Sequence, residues 1–162
     1  MLPNTPSQTV GPFFSFGLCT RPQSDVVAGG IDLRGHVYDG AGEPVPDALV
    51  EVWQADESGA YRGDFGWARC GTDASGAFGF RIVKPGSVEG QAPHLNVQVF
   101  ARGLLKQVFT RAYFPGDEPD ALLRSIDESR RHTLIAVAEG NGLRFDVHLQ
   151  GDGESVFFDL GF

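Results

Sequence analysis

Apolar and polar residues alternate with a period of two in one short stretch after another, the pattern of half-buried strands. Ile31–Tyr38 is the first such strand, closed by the turn-rich run Asp39-Gly40-Ala41-Gly42-Glu43-Pro44. In residues 48–54, Leu49, Glu51 and Trp53 fall on one face and Val50 and Val52 on the other. Thr72-Asp73-Ala74-Ser75-Gly76 reads as a turn; Phe78, Phe80 and Ile82 then share one face of a further strand, and Lys84-Pro85-Gly86 turns the chain again. Residues 94–101 alternate once more. Leu95, Val97 and Val99 point one way and His94, Asn96 and Gln98 the other, so the polar face is a candidate site wall. Residues 104–110 read as a strand. Residues 133–138 and 143–149 flank Glu139-Gly140-Asn141-Gly142, a hairpin signal, and residues 155–160 close the chain.

Two stretches depart from this pattern. Leu122, Leu123 and Ile126 stand at helical spacing and predict one helix within residues 119–130. Val10-Gly11-Pro12-Phe13-Phe14-Ser15-Phe16-Gly17-Leu18 is apolar but interrupted by Gly and Pro, which predicts neither a good helix nor a long strand. Its aromatic side chains need a surface to cover them. Residues 1–30 therefore read as an N-terminal arm and residues 31–162 as the folded domain. Many short strands with one late helix predict an all-β architecture: a two-sheet β-sandwich with an extended N-terminal arm and one short helix.

Composition narrows the function. The chain has 162 residues, 41% apolar and 21% charged, with 22 Gly and 10 Pro spread along it as turns. A net charge of −8 argues against nucleic-acid binding, which needs a basic face, but a single arginine can still dominate a small pocket. Cys19 and Cys70 lack metal-type spacing and read as buried free thiols, with a disulfide as the alternative. The N-terminus has neither a basic n-region nor a long apolar run, and no segment has the roughly 20 apolar residues of a membrane helix. A cytoplasmic location is the default expectation.

Nucleophile elbows, phosphate loops and zinc spacings are absent from the sequence. What remains is an ordered set of segments. Val50-Glu51-Val52-Trp53-Gln54-Ala55-Asp56 leads through Glu57-Ser58-Gly59 to Ala60-Tyr61-Arg62, and Pro85-Gly86-Ser87-Val88 leads through Gln91-Ala92-Pro93 to His94-Leu95-Asn96. Together with Thr5-Pro6-Ser7-Gln8-Thr9-Val10-Gly11-Pro12-Phe13 and Gly35-His36-Val37-Tyr38-Asp39, this set resembles the intradiol ring-cleaving dioxygenases. That family holds a ferric ion with two Tyr and two His.

The resemblance places the family's ligands at Tyr61, Val88, His94 and Asn96, and its catalytic Arg at Gln91. Val88 offers no donor and Asn96 a neutral amide, both poor matches to a hard ferric ion. The resemblance thus implies a chain that holds no iron itself, with degenerate ligand positions, of the alpha type found in members built from two kinds of chain. Ala92-Pro93-His94-Leu95-Asn96-Val97, Phe100-Ala101-Arg102-Gly103, Arg144-Phe145-Asp146, Gln150-Gly151 and Val156-Phe157-Phe158-Asp159 carry the likeness to that type. It implies a homologous beta chain bearing Fe(III), αβ units in a higher oligomer, and opening of protocatechuate by O2 to 3-carboxy-cis,cis-muconate. It further implies that Thr9, Gly11, Pro12 and Arg102 line a substrate pocket shared with the beta chain. The stretches between Cys19 and Ile31 and between Tyr61 and Thr72 are shorter than the family leads one to expect.

Plainer readings stand beside these. Tyr61 is a half-buried tyrosine at a strand end, His94 a satisfied core histidine, and Arg102 a solvated turn arginine. Thr9 and Pro12 fix an extended arm, Trp53 belongs to the core, and Phe157, Phe158 and Phe162 belong to the core or an interface. Two other functions compete: a transthyretin-like binding module, which Gly35 to Trp53 alone would allow, and a self-sufficient intradiol enzyme with substitute ligands.

Overall fold

The computed structural model describes residues 5–8, 11, 13–21, 23–63 and 65–161. Two sheets face each other, as the alternation predicts. In the first, β1 (Ile31–Tyr38) pairs antiparallel with β4 (Ala77–Ile82) and parallel with β8 (Gly142–Arg144) and β9 (Val147–His148), while β7 (Val137–Glu139) pairs with β8. The second sheet is antiparallel throughout, in the order β3 (Trp67–Gly71), β2 (Leu49–Trp53), β5 (His94–Phe100), β6 (Val108–Tyr113). Val50, Val52, Leu95, Val97 and Val99 point from the second sheet into the core and meet Leu33, Val37, Phe78, Phe80 and Ile82 from the first. Each of these side chains is at most 4% exposed and contributes roughly 1.5–3 kcal/mol by leaving water.

The strands over residues 31–38 and 48–54 and the shared face of Phe78, Phe80 and Ile82 are found where the pattern puts them. Three expectations need correction, and one strand is unforeseen. The arm does form a helix, α1 (Phe13–Leu18). A helix of six residues owes its existence to packing rather than propensity, and here Phe14 meets the Phe100 ring at 6.2 Å. The late helix is two: α2 (Ala121–Ser125), capped by Asp120, and α3 (Glu128–Arg131), capped by Asp127, whose carboxylate accepts the Ser129 N–H at 2.9 Å. A second capping Asp restarts the helix that the apolar spacing reads as continuous. The strand expected over 104–110 begins only at Val108, because Gly103, at φ +88°, turns the chain first. Strand β3 is unforeseen; its Trp-Ala-Arg-Cys-Gly sequence is too short and mixed to announce itself.

Trp53 is also not core: it is 50% exposed, on the outer face of β2 with Glu51. Leu49 lies on that same face yet is fully buried. Its cross-strand neighbours Gly71 and Phe100 are overlain by Cys19 and Phe14 of the arm. The arm thus covers one end of the outer face of the second sheet and leaves the Trp53 end bare. Cys70 packs toward the core, whereas Cys19 sits on the opposite, Gly71 side of β3. Both thiols are half-buried and free, and burial raises the pKa of each. Among the described residues no helix is long and apolar enough to cross a membrane.

Gly35 shows how closely the first sheet is packed at β1. A Cβ on it would lie 1.8 Å from the Phe145 carbonyl oxygen and 2.7 Å from the Phe78 ring. Gly35→Ala is expected to cost about 3 kcal/mol or more, read as a fall in the urea midpoint; a loss below about 1 kcal/mol would show that Phe145 can move aside.

Candidate functional site

The site is built where β2 and β5 leave the second sheet. After Trp53 the chain buries Gln54, whose Nε2 donates to the Val83 carbonyl at 2.8 Å, and Ala55, 1% exposed. Asp56 then organises the next turn. Its Oδ1 accepts from the Ser58 hydroxyl at 2.5 Å, the Ser58 N–H at 2.9 Å and the Ala60 N–H at 3.0 Å, and Arg62 pairs with the other oxygen. The Ser58 hydroxyl, followed by the Ala60 N–H, holds this carboxyl well below the usual carboxylate range. A second loop is pressed against the first: Gly59 takes φ +83°, and a Cβ there would lie 2.1 Å from the Ser87 carbonyl oxygen. Only glycine tolerates both conditions, and the contact sets Val88 beside Tyr61.

From β5, His94 and Asn96 reach the same place, as alternation requires. His94 is 4% exposed. Its Nδ1 lies 2.7 Å from the Ala92 carbonyl oxygen, which can only accept, so Nδ1 carries the proton. Burial lowers the His94 pKa. Asn96 donates through Nδ2 to Tyr61 Oη at 2.9 Å and to the Trp53 carbonyl at 3.4 Å. Trp53 meets the Tyr61 ring edge-to-face at 5.4 Å. The result is a shallow pocket of about 280 Å³ lined by Trp53, Tyr61, Val88, Gln91, His94, Asn96 and Arg111. All four degenerate positions, and Gln91 with them, converge in it.

Two residues of the site escape the sequence reading. Arg111 stands opposite Asn96, and Tyr113 opposite His94, in the β5–β6 register; the expected strand stopped at residue 110, so neither was aligned with the His94–Asn96 face. Asp120 anchors the floor, accepting from Ala92 N–H at 3.1 Å, Leu123 N–H at 2.8 Å and Tyr113 Oη at 3.1 Å. Its signal was available as an N-cap position before Ala121.

The donor set does not fit a ferric ion. Val88 is a hydrocarbon wall, and Asn96 commits its amide N–H to Tyr61 rather than presenting a ligand. Arg111 adds a fixed positive charge to the lining. Among the described residues no group of three or more His, Cys, Asp and Glu is placed to hold a metal.

Arg102 belongs elsewhere. It follows β5 at the far end, six residues beyond Asn96, which is about 20 Å along an extended chain. Its side chain is exposed and its Nε donates to Asp47 at 2.7 Å; that carboxylate raises the Arg102 pKa. Ala101 and Leu104, on either side of the Arg102-Gly103 turn, line a hollow with Gln8, Phe14 and Leu18 of the arm. Gly11 sits between those arm residues at φ +64°; Thr9 and Pro12, like Val10 and Phe162, lie outside the described residues. Among the described residues, Arg102 and the degenerate positions His94 and Asn96 therefore fall toward opposite ends of one strand.

This geometry has close relatives. The chain is 38% identical over 194 residues to the protocatechuate 3,4-dioxygenase alpha chain of Burkholderia cepacia, covering 98% of each, and 39% identical over 199 residues to that of Pseudomonas putida, covering 99% of this chain and 98% of the other. A dioxygenase family model (Dioxygenase_C) matches residues 17–151. The chain belongs to the intradiol dioxygenase family. The protocatechuate 3,4-dioxygenase beta chain of Burkholderia cepacia is 32% identical over 151 residues, 75% of this chain and 64% of that one. Among solved structures, the dioxygenase domain of a dioxygenase and carbohydrate-binding protein fusion from Streptomyces sp. SirexAA-E superposes with a TM-score of 0.65 at 27% identity, covering 91% of this chain and 99% of that one. Because 194 aligned positions exceed the 162 residues present, this intradiol dioxygenase chain is internally shortened relative to those alpha chains, in keeping with the short loops noted in its sequence.

Asp56 offers a direct check on the site's architecture. Its folded-state pKa lies below the unfolded value, so its hydrogen bonds stabilise the turn above about pH 4 and are lost as pH falls from there toward the folded value. Carboxyl-carbon NMR shifts should keep Asp56 ionised down to about pH 3; a titration centred near 4 would show that the turn does not hold it.

Proposed function

We propose that the chain is the alpha, non-iron-binding subunit of a protocatechuate 3,4-dioxygenase. It supports the opening of protocatechuate by O2 to 3-carboxy-cis,cis-muconate in the beta-ketoadipate pathway of aromatic catabolism. Its partner is a homologous beta chain that holds the Fe(III), in αβ units of a higher oligomer, in the cytoplasm. One observation carries this reading: the loops and strands that would build the family's metal pocket are intact, yet two of the four ligand positions are Val88 and Asn96. Near-complete coverage by two alpha chains supports it, as does the kinship with a beta chain.

In this reading residues 1–30 form an arm and residues 31–162 the domain that carries it. Thr9, Gly11, Pro12 and Arg102 form part of the wall of the pocket on the beta chain. The separation of Arg102 from the degenerate pocket supports that assignment, since the two groups are too far apart to serve one small substrate on this chain. Asp47 fixes the Arg102 guanidinium by one edge and leaves the rest of it exposed to solvent, where a carboxylate or phenolate oxygen can be met by its remaining donors.

Purified alone, the chain should be colourless and nearly iron-free. Co-expressed with an iron-bearing beta homologue, it should co-purify and yield ring-opening activity that neither chain shows by itself. A burgundy lone chain with stoichiometric iron and activity would overturn the assignment.

Arg102→Ala in the assembled enzyme should lower kcat/KM by about 10–100-fold, since a hydrogen bond to a charged group is worth roughly 1.5–3 kcal/mol. Iron content should not change. An unaltered kcat/KM with intact assembly would return Arg102 to the role of a surface arginine.

A further inference from the structure

The features that disqualify the degenerate pocket as a ferric site give it the opposite polarity. A ferric site gathers anionic oxygen donors around a cation. Here the lining brings its own cation, Arg111, and hydrogen-bond donors around it, with no carboxylate among its described residues.

Arg111 is unusual among the chain's eleven arginines. Arg34, Arg62, Arg69, Arg81, Arg102, Arg130 and Arg144 each have a carboxylate within 4.0 Å. Arg131 donates to the Ile126 and Arg124 carbonyls at 2.8 and 2.9 Å, and Arg21 and Arg124 are exposed to solvent. Arg111 is half-buried, has no ion pair among the described residues, and donates to the Tyr113 hydroxyl at 3.3 Å, which in turn donates to Asp120 at 3.1 Å. Asp120 thus reaches Arg111 only through a neutral hydroxyl, and a half-buried guanidinium so indirectly paired gains from a bound anion.

We propose that this pocket is a metal-free anion site that takes a small planar carboxylate of one-ring size, with Arg111 as the charge that recognises it. The guanidinium fork matches a carboxylate through two parallel donors. Tyr61 Oη already accepts from Asn96, which leaves its own proton to donate. Trp53 and Tyr61, edge-to-face, and Val88 supply apolar walls for a ring. The described lining belongs to this chain, so its binding is tested separately from the partner chain proposed above.

The full-length chain, in whatever oligomeric state it purifies, should be titrated calorimetrically with benzoate, acetate and benzamide, with tryptophan fluorescence followed in parallel. Benzoate should bind saturably and perturb the emission of Trp53, a perturbation that Trp53→Phe removes. Acetate should bind about tenfold more weakly for want of the ring contacts, and benzamide, uncharged but of the same shape, should bind about 10–100-fold more weakly. Arg111→Gln should lower benzoate affinity by the same factor, with Arg111→Lys retaining part of it. Benzamide binding as well as benzoate, or a folded Arg111→Gln chain with unchanged affinity, would overturn the proposal. So would the absence of benzoate binding at millimolar concentration. Should Arg111→Gln fail to fold, the benzoate and benzamide comparison on the unmodified chain still decides it.

Discussion

The pleat of β5 is the constraint on which the rest of the molecule depends. One face of that strand sends Leu95, Val97 and Val99 into the seam between the sheets, and the other sends His94 and Asn96 outward. A slip of one residue would exchange the two sets and destroy core and site together. Strands β2 and β6 hold the register from either side, so Trp53 and Arg111 arrive beside Asn96 without any further device. The pocket's geometry is therefore inherited from the core, which explains how it survives although its residues no longer suit a metal.

Much of this was legible in the sequence, because a period of two is a local signal. The inward faces of β1, β2, β4 and β5 could be read directly, and so could the convergence of Tyr61, Val88, His94 and Asn96 once the segments around them were taken as an ordered set. What escaped depended on partners distant in the chain. Leu49 and Trp53 lie on one face of β2, and nothing within that segment says which of them the arm will cover. Arg111 becomes a site residue only through its pairing with Asn96 across the β5–β6 register. The break between α2 and α3 turns on the side chain of Asp127 choosing the Ser129 N–H, a choice that apolar spacing does not encode.

The outer face of the second sheet joins these findings. Its arm-covered end is sealed by Phe14 and Cys19 over Leu49, Gly71 and Phe100. Its open end carries Trp53, Trp67 and the rim residue Leu160, 50%, 37% and 53% exposed. Arg69 bridges the character of the two, stacked 4.8 Å over Trp67 while paired with Glu51. A sheet face that is sealed at one end because its own arm lies on it, and aromatic and half-exposed at the other, where Tyr61 and the C-terminal residues only flank it, divides the molecule into a closed part and a part left open.

Arg111 changes what a restored set of ligands would meet. Exchanging Val88 for tyrosine and Asn96 for histidine would restore the four ligand types on a backbone already shaped for them. A trivalent cation held there would feel Arg111 from across the strand pair, a repulsion that weakens with distance, while the arginine that the resemblance places at Gln91 would still be missing. Restored ligands would find the pocket's positive charge on β6 rather than on the loop before β5.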